Sequence, residues 1–345
     1  MLRLTEHDVR VWADEQGIPD LLFTELDYRL VKTLEAFCHD GFLSKRLCMK
    51  GGTAINKLYL GETSRLSVDL DFNQVGTKEE VLKERRDVRE RIVGLLKKQD
   101  DSYVIHSERR YEQTRIKARY KTLAGPMQSF KIEVSHVERF PIVSPVMKQV
   151  KTPDGSADVI TYTLEELTAT KLRALLERFK GRDVYDLYFI SQLKPDPIVT
   201  RKMFLYYFYR SRKVFNPKVH YKNLVRRYES VNYVDDVSVF VKPTVKFDLT
   251  KAAKHVISHY SFLNELDSRD MDFLKLAGIL LGKKVPKESF SRLQRVDKPL
   301  RLLFGAMGIS QEASEISTNE IKLFSKKEQT REDGPRSKSI DLDEN

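Results

Sequence analysis

The chain has 345 residues, 41% of them apolar, with 61 Lys and Arg against 50 Asp and Glu, a net charge of +11 and a pI near 9.3. That length allows a substantial core and two domains, while no apolar run approaches the roughly 18 residues of a membrane span and the opening MLRLTEHDVR lacks the apolar centre of a signal peptide; a cytoplasmic protein without membrane contact is therefore expected. Cys38 and Cys48 are too few for a disulfide framework and lack metal-ligand spacing, so both read as buried thiols, and the excess of cations is what a polyanion binder carries, although any basic surface gives the same count.

In chain order, Thr5 and Asp8 mark a helix start that runs to Gly17, and a second helix from Asp20 to His39 repeats Leu26, Leu30, Leu34 and Phe37 at helical spacing. RLCMK (46–50) reads as a short strand, GGT as a turn, AINKLYL as a short helix stopped by Gly61, and SVDLDFNQ as a second strand. KEEVLKERRDVRERIVGLLKKQ (78–99) is a charged amphipathic helix. YVIHSERRY and RIKARYKTL alternate as paired strands, Gly125-Pro126 is a turn, and SFKIEVSHV (129–137) is a further strand. From Leu164 the pattern is helical again, with Leu167, Leu172, Leu175, Leu176 and Phe179 as a core stripe.

This order predicts an α+β fold, a mixed sheet flanked by helices. Past Pro195-Asp196-Pro197 the composition turns to Lys, Arg, Tyr and Phe with helical periodicity. The expected organisation is a catalytic domain at 1–197, a basic, mainly helical domain at 198–308, and a disordered tail at 309–345, where apolar content falls away.

The chemistry concentrates at SVDLDF. Asp69 and Asp71 alternate with Val68, Leu70 and Phe72, so both carboxylates share one face of a strand, where they repel unless a cation sits between them. A solvated face, a glycosyltransferase-type DxD metal site and a nucleotidyltransferase metal site all fit this pattern. The preceding Gly51-Gly52 turn, placed between a strand and a helix, favours bound phosphate, although no Gly-Lys-Ser/Thr completes a P-loop. A metal with triphosphate is the reading that joins the two, because Mg²⁺ is held by one or two carboxylates plus phosphate oxygens. Two-metal chemistry needs a further carboxylate near the attacking hydroxyl, and Glu133, opposite the apolar Phe130, Ile132 and Val134, is the candidate third ligand. In KLRALLERFKGRDVYDL, Arg178 lies about −20° and Arg182 about +20° from Lys171, so the three cations line one stripe if Gly181 does not break the helix, with Asp186 one turn beyond Arg182 to orient its guanidinium.

Lys-Gly-Gly-Thr-Ala, Arg-Leu-Ser-Val-Asp-Leu-Asp and the Lys171 helix ending Arg-Asp-Val-Tyr-Asp-Leu together resemble the AbiEii/AbiGii toxin family of nucleotidyltransferases, in the DNA polymerase β superfamily with the MenT-like toxins. The three elements span 50–187. The resemblance implies a nucleotidyltransferase-type sheet in which Asp69, Asp71 and Glu133 bind Mg²⁺ or Mn²⁺. It implies that Gly51, Gly52, Thr53 and Ser67 hold the NTP, that Lys171 contacts phosphate, and that Arg182, Asp183 and Asp186 complete the site. It also implies a toxin, with a cognate antitoxin or its regulator as partner and a part in phage defence. The expected reaction is transfer of NMP from an NTP to the 3′ end of tRNA or another RNA acceptor, blocking translation; transfer to a protein hydroxyl, or a non-catalytic basic nucleic-acid-binding protein, are the alternatives.

Two weaker candidates remain. His255 and His259 are one helical turn apart but have no third ligand in the pattern. YYFYRSRK (206–213) and YKNLVRRYES (221–230) interleave aromatics with cations, which suits RNA through stacking and phosphate contacts as well as it suits a helical core with a basic outer face.

Overall fold

The computed structural model describes residues 4–138, 141–230 and 237–280; the expected tail, and residues 281–308 of the expected helical domain, lie outside the described residues. Local signals set the first elements. Thr5 and Asp8 form a reciprocal cap on α1 (Glu6–Gln16), which ends at Gly17 with φ 63°. Asp20 accepts two backbone N–H bonds at the start of α2 (Leu21–His39), and Thr77 and Glu80 cap α4 (Lys78–Gln99) in the same reciprocal way.

The strands are β1 (Leu47–Lys50), β2 (Asp69–Gln74), β3 (Val104–Arg109), β4 (Gln113–Lys121), β5 (Met127–Ser135), β6 (Val146–Thr152) and β7 (Gly155–Thr161). They form one mixed sheet in the order β3-β4-β5-β2-β1-β7-β6. β2 runs parallel to β5 and antiparallel to β1, and β1 runs parallel to β7. Leu70, Phe72, Ile116, Ile132 and Val134 pack on one face with Leu30, Leu34 and Phe37 of α2 and Val88, Ile92 and Leu96 of α4.

The sequence expectation differs in three places. The glycines of GGT do not form a separate turn but open α3 (Gly51–Leu58) directly after β1. β2 begins at Asp69, two residues later than the alternation begins. The helix expected from Leu164 is two: α5 (Leu164–Arg178) stops where Phe179 adopts φ 47°, and α6 (Gly181–Gln192) starts anew. Arg182 therefore leaves the stripe of Lys171 and Arg178.

A second core joins α5 and α6, through Ala169, Leu172, Leu175, Val184 and Leu187, to α7 (Pro197–Arg210), α8 (Pro217–Ser230), α9 (Leu249–His259) and α10 (Ser268–Leu280), through Phe204, Leu224, Val256 and Phe273. Leu167, Tyr185 and Ile190 of α5 and α6 belong to the sheet core. These two helices thus serve both cores, and Pro197, at the composition change, is the first residue of α7 under an Asp196 cap.

Candidate active site

The register of three strands assembles the acidic centre. On β2, Asp71 lies opposite Lys50 of β1 and Glu133 of β5, and Asp69 lies opposite Lys131 of β5. Leu70 between them and Phe72 after them are 1% and 2% exposed, so the period of two separates carboxylates from core. Gly51 follows β1 with φ +76° and lies so close to β2 that a Cβ there would stand 2.4 Å from Asp71 Oδ2. Glycine is required here for both backbone conformation and space. The Thr53 hydroxyl donates to the Asp69 carbonyl at 2.5 Å and ties α3 to β2. Its proton is thereby used inside the protein, unlike the phosphate contact expected of it.

Burial, then the neighbouring Asp69, push the Asp71 carboxyl up to about 7 against the pull of Lys50; Glu133 adds to the rise and Lys171 opposes it. The charge on this face is under-compensated, which is the electrostatic condition a divalent cation relieves. Ser67, 3% exposed and two residues before Asp69, has a hydroxyl with no hydrogen-bond partner among the described residues. The donor set fits a hard cation held by two carboxylates with further oxygens from a substrate. A three-carboxylate centre is not assembled. Among the described residues no three His, Cys, Asp or Glu side chains come together to hold a metal, and Glu133 faces Arg115 of β4 at 3.3 Å.

Behind the acidic pair lies a buried ionic network. Arg65 grips Asp186 with two parallel bonds of 2.9 Å, a bidentate pairing that fixes both groups. Lys171 bonds Asp186 at 2.8 Å and Asp183 at 3.2 Å, and Arg178 holds Asp183 through two bonds of 2.8 Å. Asn56 links this network to α3, donating to the Gly52 carbonyl and to Asp186 and accepting from Arg65 N–H. Burial would raise Asp186, but Arg65 and then Lys171 outweigh it and hold the carboxyl at about 2. A Cβ on Gly52 would come within 2.6 Å of Arg65 Nη2, so the second glycine makes room for the guanidinium.

The expected roles of this helix pair change accordingly. Asp183 and Asp186 are fully buried and reach the site only through the cations they position. Asp186 orients Arg65 and Lys171, not Arg182, whose guanidinium lies over the Phe240 ring at 5.2 Å. Two of the three Lys171 donors are taken by aspartates, which leaves one N–H not engaged by them.

Sequence reasoning missed Arg65, Asn56, Lys50 and Glu138. Arg65 stands in the same RLSVDLD stretch, but its partner is 121 positions away. Lys50 pairs with Glu138 at 3.0 Å, and Arg173 of α5 closes the bridge at 3.1 Å. Burial would raise Glu138, yet Lys50 and Arg173 pull it to about 2. Glu138 follows β5 in a segment without periodicity, where alternation offers no signal. A cavity of about 510 Å³ lined by Glu15, Lys57, Lys151 and Lys242 meets the network only at Asn56 and contains none of the paired aspartates.

His255 and His259 stack at 5.5 Å, with His255 also bound to the Ser191 hydroxyl; they pack as ordinary helix residues. Tyr206, Tyr207 and Phe208 are 7%, 3% and 1% exposed, so three of the four aromatics of YYFYRSRK belong to the helical core, and Tyr209 packs partly buried against it. Arg210 and Arg227 donate to the Val137 and Leu176 carbonyls. No helix among the described residues is long and apolar enough to cross a membrane.

A mixed sheet flanked by helices, with paired aspartates beside a helix that opens on glycines, has the fold of nucleotidyltransferase toxins. The family model described as "Nucleotidyl transferase AbiEii toxin, Type IV TA system" matches residues 33–258, and the chain belongs to that family. Among solved structures it is similar to MenT4, a nucleotidyltransferase toxin from Mycobacterium tuberculosis H37Rv, with a TM-score of 0.60, 88% of this chain and 99% of that chain covered, and 18% identity, a likeness of fold. No curated protein matches. Membership in a type IV toxin–antitoxin family implies an antitoxin partner.

Proposed function

We propose that this toxin transfers a nucleoside monophosphate from an NTP to the 3′ end of tRNA in the presence of Mg²⁺ or Mn²⁺ and so blocks translation. The observation that carries the proposal is the pair Asp69 and Asp71, held side by side on β2 against Gly51 with Asp71 pushed up to about 7. A divalent cation held by this pair would neutralise triphosphate charge. Around it, Ser67 and the free backbone N–H groups at the start of α3 bind phosphate oxygens. Lys171, fixed by Asp183 and Asp186, gives its remaining N–H to the same group. The acceptor hydroxyl oxygen attacks the α-phosphorus, the bond to pyrophosphate breaks, and the hydroxyl proton passes to Glu133, the carboxylate next to Asp71 across the ladder.

The test is incubation of the protein with total tRNA and each α-³²P-labelled NTP in turn. Label in the 3′-terminal nucleotide of RNA is the expected result. Label in protein would assign the acceptor as a protein hydroxyl at the same site. No transfer, together with unchanged toxicity of Asp69→Ala, would return the chain to a non-catalytic nucleic-acid binder.

A further inference from the structure

We infer that the acceptor RNA lies across the open face of β5, β4 and β3, with its phosphates on Lys131, Lys117, Arg119 and Lys121, and reaches the acidic pair along the strand ladder. The inference rests on the RNA acceptor proposed above and names the surface that binds it. The odd positions of β4 after Gln113 are Arg115, Lys117, Arg119 and Lys121, all exposed, while Ile116, Ala118 and Tyr120 between them are buried at 1%, 0% and 1%.

The pairings place these cations relative to the active site. Asp69 is level with Lys131, Lys131 with Lys117, and Lys117 with His106, in one row across four strands. Neighbouring strands are about 4.8 Å apart, so Lys131 and Lys117 stand roughly 5 and 10 Å along that row from Asp69. Arg119 and Lys121 extend the patch along β4, each about 7 Å from the last.

Two ordinary explanations fail here. Cations protect exposed sheet edges, but β4 is flanked on both sides by β3 and β5. A solvated face carries mixed charge, and at its Arg115 end this face does, because Arg115 pairs with Glu133 and lies level with Glu108 of β3; beyond that end, Lys117, Arg119, Lys121 and Lys131 have no ion pair or side-chain hydrogen bond with any described residue. A row of unpaired cations leading to two carboxylates suits a polyanion whose terminus must arrive at those carboxylates. RNA is that polyanion; an acidic protein has no chemical reason to end there.

The experiment compares the full-length protein with a variant carrying Lys117→Ala, Arg119→Ala, Lys121→Ala and Lys131→Ala. A second variant removes the same charge from α8 and α9, with Lys218→Ala, Lys222→Ala, Arg226→Ala and Lys254→Ala. Filter binding of tRNA is measured from 50 to 300 mM salt without NTP, so the result is independent of whether transfer occurs. The sheet variant is expected to lower the log–log salt slope by about 3, at 0.7–0.9 for each phosphate contact. It should raise KM for RNA at least tenfold and leave NTP binding unchanged, while the α8 and α9 variant keeps the wild-type slope. Equal loss in both variants, an unchanged slope in the sheet variant, or no tRNA binding by the wild type would overturn the inference. So would a sheet variant that keeps tRNA binding but loses polyglutamate binding, which would assign the face to an acidic protein.

Discussion

Replacing Asp71 by Asn tests whether the acidic pair is held under electrostatic stress. In the folded protein burial and Asp69 raise the Asp71 carboxyl from 3.8 to about 7. Each unit corresponds to 1.36 kcal/mol, so ionising this group in the metal-free fold costs up to about 4 kcal/mol. Partial access to water at the side chain reduces this to about 2 kcal/mol. The sign follows from proton binding. Between about pH 4 and 7 the folded state holds a proton that the unfolded chain has released, so the wild type loses stability as pH rises through that window. Asn does not titrate, so the variant escapes this loss. Metal-free Asp71→Asn is therefore expected to melt about 3 °C above the wild type at pH 8, with the difference closing towards pH 4. Added Mg²⁺ should raise the wild-type melting temperature and leave the variant unmoved, and NMP transfer should fall by orders of magnitude. Scanning calorimetry with EDTA or Mg²⁺ across pH 5–8 measures each part. An Asn variant less stable than the wild type at pH 8 would refute the reasoning, because the carboxylate would then be stabilising the empty fold.

Lys171→Met leaves Asp183 and Asp186 with one arginine each, and its unfolding free energy should fall by about 2–3 kcal/mol in urea melts, together with a lower affinity for NTP; wild-type NTP affinity would remove Lys171 from the phosphate site. Arg65→Lys cannot make the two-bond grip on Asp186, and should lower kcat more than tenfold with a stability loss of about 1–2 kcal/mol; full kcat would mean that Asp186 needs no fixed orientation. Gly51→Ala would drive a Cβ against Asp71 and should abolish transfer, whereas Gly17→Ala, at φ +63° with no atom within 4 Å, should cost only about 1 kcal/mol and keep activity; equal activity in the two variants would show that the Gly51 contact is not needed.

Much of the scaffold was legible because its signals are local. The caps at Thr5 and Asp20 and the alternation in β4 and β5 each depend on residues a few positions apart. The aspartate pair was legible for the same reason. What escaped depends on tertiary neighbours. β6 and β7 were not foreseen because their hairpin lies at a sheet edge, where the outer half of β6 is largely exposed and its pattern weak. The break between α5 and α6 was legible in part: Gly181, the possible breaker, opens α6, but the reversal itself falls at Phe179, a residue that rarely takes a left-handed backbone. The grip of Arg65 on Asp186 joins two distant stretches, and only the fold shows that it, and not Arg182, holds the aspartate. Aromatics between cations on α7 looked like a nucleic-acid surface because composition does not reveal which face of a helix is buried. On β4 the same question is answered by strict alternation.

The most direct test of nucleotidyl transfer at Asp69 and Asp71 is quantitative label transfer with a matched pair of variants. Wild type, Asp69→Asn and Asp71→Asn are incubated with tRNA, Mg²⁺ and the preferred α-³²P-NTP, and RNA-bound label and released pyrophosphate are measured in the same samples. The wild type should release one pyrophosphate for each labelled 3′ end, and both folded variants should bind tRNA normally and transfer at least a thousandfold more slowly. Transfer at the wild-type rate by either variant would contradict the assignment of the reaction to this pair.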